Sequence, residues 1–178
     1  FAEFLNIPDT STLMGKGAFP ELHPLSLGVL GMHGQEVANW CVINSDCILV
    51  VGCRFSDRIT GDLSKFAQNA KIIHVDIDPA EINKNVKVHI PIVADARSAL
   101  ADLYRICLEK LKKGNYSAWH AKVKGLREIH ESLPERDVKG VSPKDICLAM
   151  NRVIRDEDIV ATGVGQHQMF AEHYLIRR

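Results

Sequence analysis

The sequence predicts an α/β protein built on a parallel sheet with helices on both faces. Two observations carry this. Short apolar runs at 47–51, 71–76 and 90–93 alternate with segments whose apolar residues recur at helical spacing. Strands that alternate with helices pair in parallel through crossovers. Loops at 14–17, 31–34, 52–61 and 76–81 follow the strand ends, and three of them carry glycine. In such sheets ligands sit beyond the carboxyl ends of the strands, where backbone must turn sharply or approach closely.

Taken in order, Ser11–Met14 reads as a short strand ending in the loop Gly15-Lys16-Gly17. The loop continues through Pro20, Pro24 and Gly28 to Gly31-Met32-His33-Gly34. From Gln35 to Ile43, apolar residues at 37, 38, 41 and 42 share one helical face. Asn44-Ser45-Asp46 break that pattern before the strand 47–51 (CILVV). Leu63–Ala67 reads as a short helix, then 71–76 (KIIHVD) and 90–93 (IPIV) as buried strands. Asp95 stands at an N-cap, and Leu100, Leu103, Ile106, Cys107 and Leu111 repeat at helical spacing until Gly114.

Residues 115–140 change in kind. A polar helical stretch from Ser117 to Leu133 is followed by Pro134 and the charged run Glu135-Arg136-Asp137, which reads as a linker across a domain boundary. Ser142-Pro143-Lys144-Asp145 opens a helix with proline at its first position, running to about Ile154. Asp158–Thr162 then reads as a strand before Gly163-Val164-Gly165. The organisation expected is a nucleotide-binding domain over 1–114, a linker over 115–140, and the beginning of a second α/β domain over 141–178.

Composition excludes several classes. Lys plus Arg equal Asp plus Glu at 22 each, so no global basic surface recruits nucleic acid or anionic lipid. No apolar stretch approaches the roughly 18 residues of a membrane span. The five cysteines (41, 47, 53, 107 and 147) never form Cys-x-x-Cys and read as small apolar residues of a reducing compartment. The chain opens on Phe1 and reads as a fragment.

The chemistry-bearing residues cluster at the predicted strand ends. Asp76, closing KIIHVD, stands where an acidic residue commonly hydrogen-bonds a ribose hydroxyl. Arg54 and Arg58 follow the 47–51 strand and carry the fork geometry that grips phosphate or carboxylate. His33 and His167 stand beside glycines in candidate loops, whereas His23, His89, His120, His130 and His173 read as solvated or capping groups. There is no Gly-x-Gly-x-x-Gly, no Gly-x-Ser-x-Gly elbow and no metal-ligand spacing. On the residues alone, a nucleotide site and a set of turn glycines with surface ion pairs both stay open.

Four stretches resemble the acetolactate synthase family of thiamine-diphosphate enzymes, in its large catalytic subunit. They are TLMGKGAFPELHPLSLGVLGMHG (12–34), GCRFSDRITG (52–61), AKIIHVDIDPAEINKN (70–85) and GVGQHQM (163–169). The resemblance implies a central domain with a six-stranded, Rossmann-like parallel sheet that binds FAD, followed by the opening of a thiamine-diphosphate domain. It implies that Thr12, Leu13, Met14, Gly31, Met32, His33, Gly52, Arg54, Asp76, Ile77, Asp95 and Ala96 line the flavin. Arg58 would hold the second 2-ketoacid, and Val164, Gly165, Gln166 and His167 would approach thiamine diphosphate. The family's catalytic glutamate and its Mg²⁺ motif fall outside the matched positions, so no catalytic or metal residue is expected in this chain, and the chain alone is expected to be inactive. Ser56, Ala94 and Gly163 depart from the family pattern, which has an acidic residue, glycine and aspartate there.

The implied activity is decarboxylation of pyruvate and carboligation to a second 2-ketoacid, in branched-chain amino-acid biosynthesis. A homo-oligomer, a regulatory small subunit and a cytoplasmic or, in a plant or fungus, organellar location go with it. Two rivals stand beside this: another thiamine-diphosphate enzyme of the glyoxylate carboligase or pyruvate oxidase kind, and a free-standing nucleotide-binding module.

Overall fold

The computed structural model describes residues 1–131 and 139–177, the side chains of His130 and Glu131 excepted. The linker features predicted at Leu133, Pro134 and Glu135-Arg136-Asp137 lie outside the described residues. The chain divides into two compact units, Phe1–Ile7 with Asn39–Tyr116, and Pro8–Ala38 with Ser117–Arg178.

In the first unit, α1 (Ala2–Leu5) ends on Asn6 in the left-handed conformation, and Phe4 meets Tyr104 edge-on at 5.9 Å. The unit then holds most of α2 (Glu36–Asn44), and β3 (Cys47–Val51), α3 (Asp57–Thr60), β4 (Lys71–Asp76), β5 (Ile90–Val93) and α4 (Ala96–Lys110). The strands form a parallel sheet in the order β3-β4-β5, with Val50 opposite His74 and Val75 opposite Ile92. β4 is central, and its burial is nearly continuous because both faces are covered. Val50, Phe55, Ile72 and Val88 form the core, with Ile48, Cys53, Phe66, Ile82 and Val86 packed on it. Each such aliphatic side chain, once fully buried, contributes roughly 1.5–3 kcal/mol.

The second unit holds β1 (Asp9–Ser11) and β2 (Ser26–Val29), a parallel pair, followed by α5 (Ser117–Glu131), α6 (Pro143–Met150) and α7 (Gln166–Tyr174). The Thr10 hydroxyl donates to the Gly28 carbonyl at 2.8 Å, and α7 packs on α6 and β2. At the start of α6 the Ser142 hydroxyl accepts from the Asp145 amide while the Asp145 carboxylate accepts from the Ser142 amide, a capping box. Asn151 fastens the end of α7, donating to the Tyr174 carbonyl at 2.7 Å and accepting from the Ile176 amide at 3.0 Å.

Several expectations are corrected. The α/β class and the parallel pairing stand, but the described strands form one three-stranded and one two-stranded sheet, not a six-stranded one. The first strand stops at Ser11, because the Thr12 hydroxyl accepts from the Gly15 amide and starts a 3-10 turn over Leu13–Gly15. The loop predicted through Pro24 and Gly28 contains β2, whose Leu27 and Val29 point inward. Leu63–Ala67 forms turns, and the helix stands earlier, at α3. Asp158–Thr162 pairs with no strand among the described residues, and Ile159 is 94% exposed. The Asp156 and Asp158 carbonyls accept instead from the Arg177 guanidinium.

Candidate functional site

The carboxyl ends of β3, β4 and β5 converge in the first unit. The Gly52 amide donates to the Val75 carbonyl at 2.8 Å, and the Ala94 amide donates to the Asp76 carbonyl at 3.0 Å. These bonds join the ends of the three strands from which Gly52, Arg54, Asp76, Ile77, Asp95 and Ala96 follow. Gly52 has φ 62, and a Cβ placed there would meet nothing within 4 Å. Bare backbone at Gly52 thus faces open space, which leaves room for a ligand to approach it closely.

Asp76 is 8% exposed and held on two sides. Its Oδ1 accepts from the Asp78 amide at 2.9 Å, and its Oδ2 lies 3.6 Å from His74 Nε2. Ile77, next along the chain, is 73% exposed. Asp95 caps α4, accepting from the Ser98 amide at 3.1 Å, so Ala96 opens the helix at the same sheet edge.

Arg54 is exposed on the loop between β3 and α3, and Arg58 is exposed within α3. The electrostatics of Cys53 show which charges share this edge. Burial pushes its thiol up, the Phe55 amide pulls it down, Asp76 pushes it up, and Arg54 pulls it down. A guanidinium and a carboxylate therefore act on one thiol next to Gly52. An anion and a hydroxyl of the same ligand would find complementary groups there.

Sequence reasoning missed three residues at this edge. His74 is fully buried within the apolar run of β4, neither ring nitrogen has a hydrogen-bond partner, and its ring meets Phe55 edge-on at 5.2 Å. Phe55 is buried with φ 49, and Asn85 donates to the Arg54 carbonyl at 3.0 Å. The first two occupy an apolar run and a charged motif where no spacing rule singles them out. The third acts across 31 residues of chain.

In the second unit, the Leu30 amide donates to the Ser11 carbonyl at 2.9 Å, so Thr12 and Gly31 leave adjacent strand ends together. Met14 and Met32 are exposed at 88% and 58%. The His33 carbonyl accepts from His173 Nε2 at 2.5 Å. Gly34 is required by contact, because a Cβ there would stand 2.3 Å from the Val29 carbonyl oxygen. Val164 is exposed, and Gly165, φ 153, is the N-cap of α7, so Gln166 and His167 open a helix rather than continue a loop. A helix N-terminus of this kind presents free amides suited to a phosphate.

The same unit has a cleft of about 390 Å³ lined by Glu21, His23, Gln35, Glu36 and Arg127 among others. Its polar groups are used internally. Gln35 accepts from the Val29 amide at 2.6 Å, His23 Nδ1 accepts from the Leu25 amide at 3.2 Å, Arg127 donates to the Ser26 carbonyl, and Glu21 pairs with Lys16. It contains none of the residues predicted for a cofactor. Among the described residues no group of three or more His, Cys, Asp or Glu side chains could hold a metal ion. No helix among them is long and apolar enough to cross a membrane.

Glycine-bearing strand ends with an acid closing the middle strand belong to an α/β architecture of the Rossmann-like kind, and comparison with known families gives it a place. Residues 1–103 match the family described as thiamine pyrophosphate enzyme, central domain, and the chain belongs to that family. It is 45% identical over 180 residues to a probable acetolactate synthase large subunit of Methanocaldococcus jannaschii, covering 98% of this chain and 30% of that one. It is 43% identical to a probable acetolactate synthase 2, chloroplastic, of Oryza sativa subsp. japonica, covering 100% of this chain and 28% of the relative. The acetolactate synthase large subunit of Cyanidium caldarium is 43% identical, with 98% and 30% covered. The chain thus spans about 30% of the length of these relatives.

Proposed function

We propose that this chain is part of an acetolactate synthase large subunit, an enzyme that decarboxylates pyruvate and joins the product to a second 2-ketoacid. The observation that carries the reading is the extent of the likeness. Identity of 43–45% runs over 98–100% of the chain, past the central-domain match at residue 103 and on through the Gly165 region. A nucleotide-binding module alone would have no reason to keep GVGQHQM.

Within that reading, thiamine diphosphate supplies the electron sink that lets a 2-ketoacid lose carbon dioxide and couple to a second one. Gly165 and the first amides of α7 are assigned to its diphosphate, with Val164, Gln166 and His167 beside them. Gly52, Arg54, Asp76, Ile77, Asp95 and Ala96 are assigned to FAD, a reading supported by the open space at Gly52 and by a guanidinium donor, Arg54, and a carboxylate acceptor, Asp76, that both act on Cys53. Thr12, Leu13, Met14, Gly31, Met32 and His33 are assigned to FAD by the family resemblance. Arg58 is assigned to the carboxylate of the second ketoacid. Mg²⁺, 2-ketoacid substrates, a homo-oligomer and a regulatory small subunit belong to the same proposal.

The test is an assay of the whole polypeptide that carries this segment, supplied with pyruvate, thiamine diphosphate and Mg²⁺. Acetolactate formation, and the mixed product when 2-ketobutyrate is added, is the expected result. Decarboxylation that releases free aldehyde, or consumption of oxygen with acetyl phosphate as product, would assign the chain to another branch of the class.

A further inference from the structure

The loop around Arg54 holds one residue, Phe55, in a shape that it does not favour. Gly52 has φ 62 and Phe55 has φ 49, and a positive φ is rare for an aromatic residue. Such a conformation persists only where the surroundings over-determine it. Two features do so here. The Phe55 ring, 4% exposed, is wedged edge-on against Phe66 at 5.9 Å and His74 at 5.2 Å. The Asn85 side-chain amide also donates to the Arg54 carbonyl, in the peptide that leads into Phe55, at 3.0 Å.

Asn85 does not bring the core with it. It is exposed, on a loop whose own shape is secured separately. Asn83, φ 60, accepts from the Val88 amide at 2.7 Å, and Ile82 and Val86 pack against the core cluster. The loop is therefore anchored without Asn85, which spends its amide on one distant carbonyl. We infer that Asn85 is a positioning residue of the nucleotide site, fixing the Arg54 peptide so that the guanidinium is presented to the ligand's phosphate. Binding energy that would go into ordering the loop is conserved when the loop is already ordered. The inference rests on the reading of Arg54 as a flavin contact.

The test uses the whole polypeptide, freed of bound flavin and titrated with FAD while flavin fluorescence is followed. Asn85→Ala is expected to weaken FAD binding about two- to tenfold, the span of one net hydrogen bond. Asn85→Asp, nearly isosteric but unable to donate, is expected to lose at least as much, with the thermal unfolding of both variants close to wild type. In an Arg54→Ala background, Asn85→Ala is expected to change FAD affinity no further, because it acts only through Arg54. An equal loss in both backgrounds makes Asn85 a general clamp and overturns the proposal, as does unchanged affinity of Asn85→Ala in the otherwise wild-type protein. Wild-type protein that binds no FAD overturns the flavin reading, and this inference with it.

Discussion

Arg54 and Arg58 are four residues apart, yet they stand on differently folded stretches of backbone. Arg54 lies in the strained loop before α3, its carbonyl held by Asn85, whereas Arg58 rides on the single turn of α3 that starts at Asp57. Helical spacing therefore does not force them onto one face, which suits separate duties toward flavin and ketoacid. A guanidinium fork binds a carboxylate or phosphate through two parallel hydrogen bonds that lysine cannot reproduce. Arg58→Lys in the whole enzyme is expected to weaken use of the second ketoacid and spare flavin content. The loss is about 1.5–3 kcal/mol, or roughly ten- to a hundredfold in specificity. Arg54→Lys is expected to lower flavin occupancy first. Kinetics with paired ketoacids alongside flavin absorbance separates the two, and a flavin-depleted Arg58→Lys enzyme with unchanged ketoacid preference would refute the division. Residues of this kind were legible because charge at the end of an apolar run is conspicuous. His74 was not, since a histidine inside KIIHVD is indistinguishable in sequence from an ordinary core residue. Asn85 escaped because its partner is remote in the chain.

Among the elements, β3, β4 and β5 were readable because each is a short, bounded apolar run, and Asp95 at the start of α4 was readable from its capping chemistry. β2 was hidden by Pro24 and Gly28, although Leu25, Leu27 and Val29 are all buried. Asp158–Thr162 shows the reverse error, because an apolar pattern becomes a strand only where a partner's hydrogen bonds are in reach. α7 holds a feature that no pattern announces. Glu172 is 5% exposed, and burial pushes its carboxyl above the ordinary 4.5, with His173, His33 and Lys16 pulling it back. Because the folded value is raised, the folded state holds this proton more tightly than the unfolded chain does. The group's contribution to stability is full below the unfolded value and is lost as pH rises through the folded one. Glu172→Gln is therefore expected to stabilise the protein at neutral pH, on the order of 1 kcal/mol, with the gain fading as pH falls toward the ordinary 4.5 and absent below it. Urea denaturation across that range checks it, and a variant less stable than wild type at neutral pH would show that the cations outweigh burial.

For the molecule as a whole, the α/β class, the parallel pairing and the family were legible, while the strand count of the sheet was not. The six-stranded expectation came from the resemblance, and pairing in the described residues is confined to β1-β2 and β3-β4-β5. In the proposed function, the edge carrying Gly52, Arg54 and Asp76 receives a flavin, with backbone at Gly52 close against it. Gly52→Asn tests this most directly. Asparagine tolerates the left-handed conformation better than other side chains, and a Cβ at this position meets nothing in the protein itself. The variant should therefore fold while its side chain occupies the space in front of Gly52. The measurement is the flavin-to-protein ratio of the purified whole enzyme after dialysis against FAD, with thermal unfolding followed in parallel. Flavin is expected to be retained by the wild type and largely lost from Gly52→Asn, at nearly unchanged stability. A variant that keeps flavin at the wild-type ratio, or a wild type that takes up none, would contradict it.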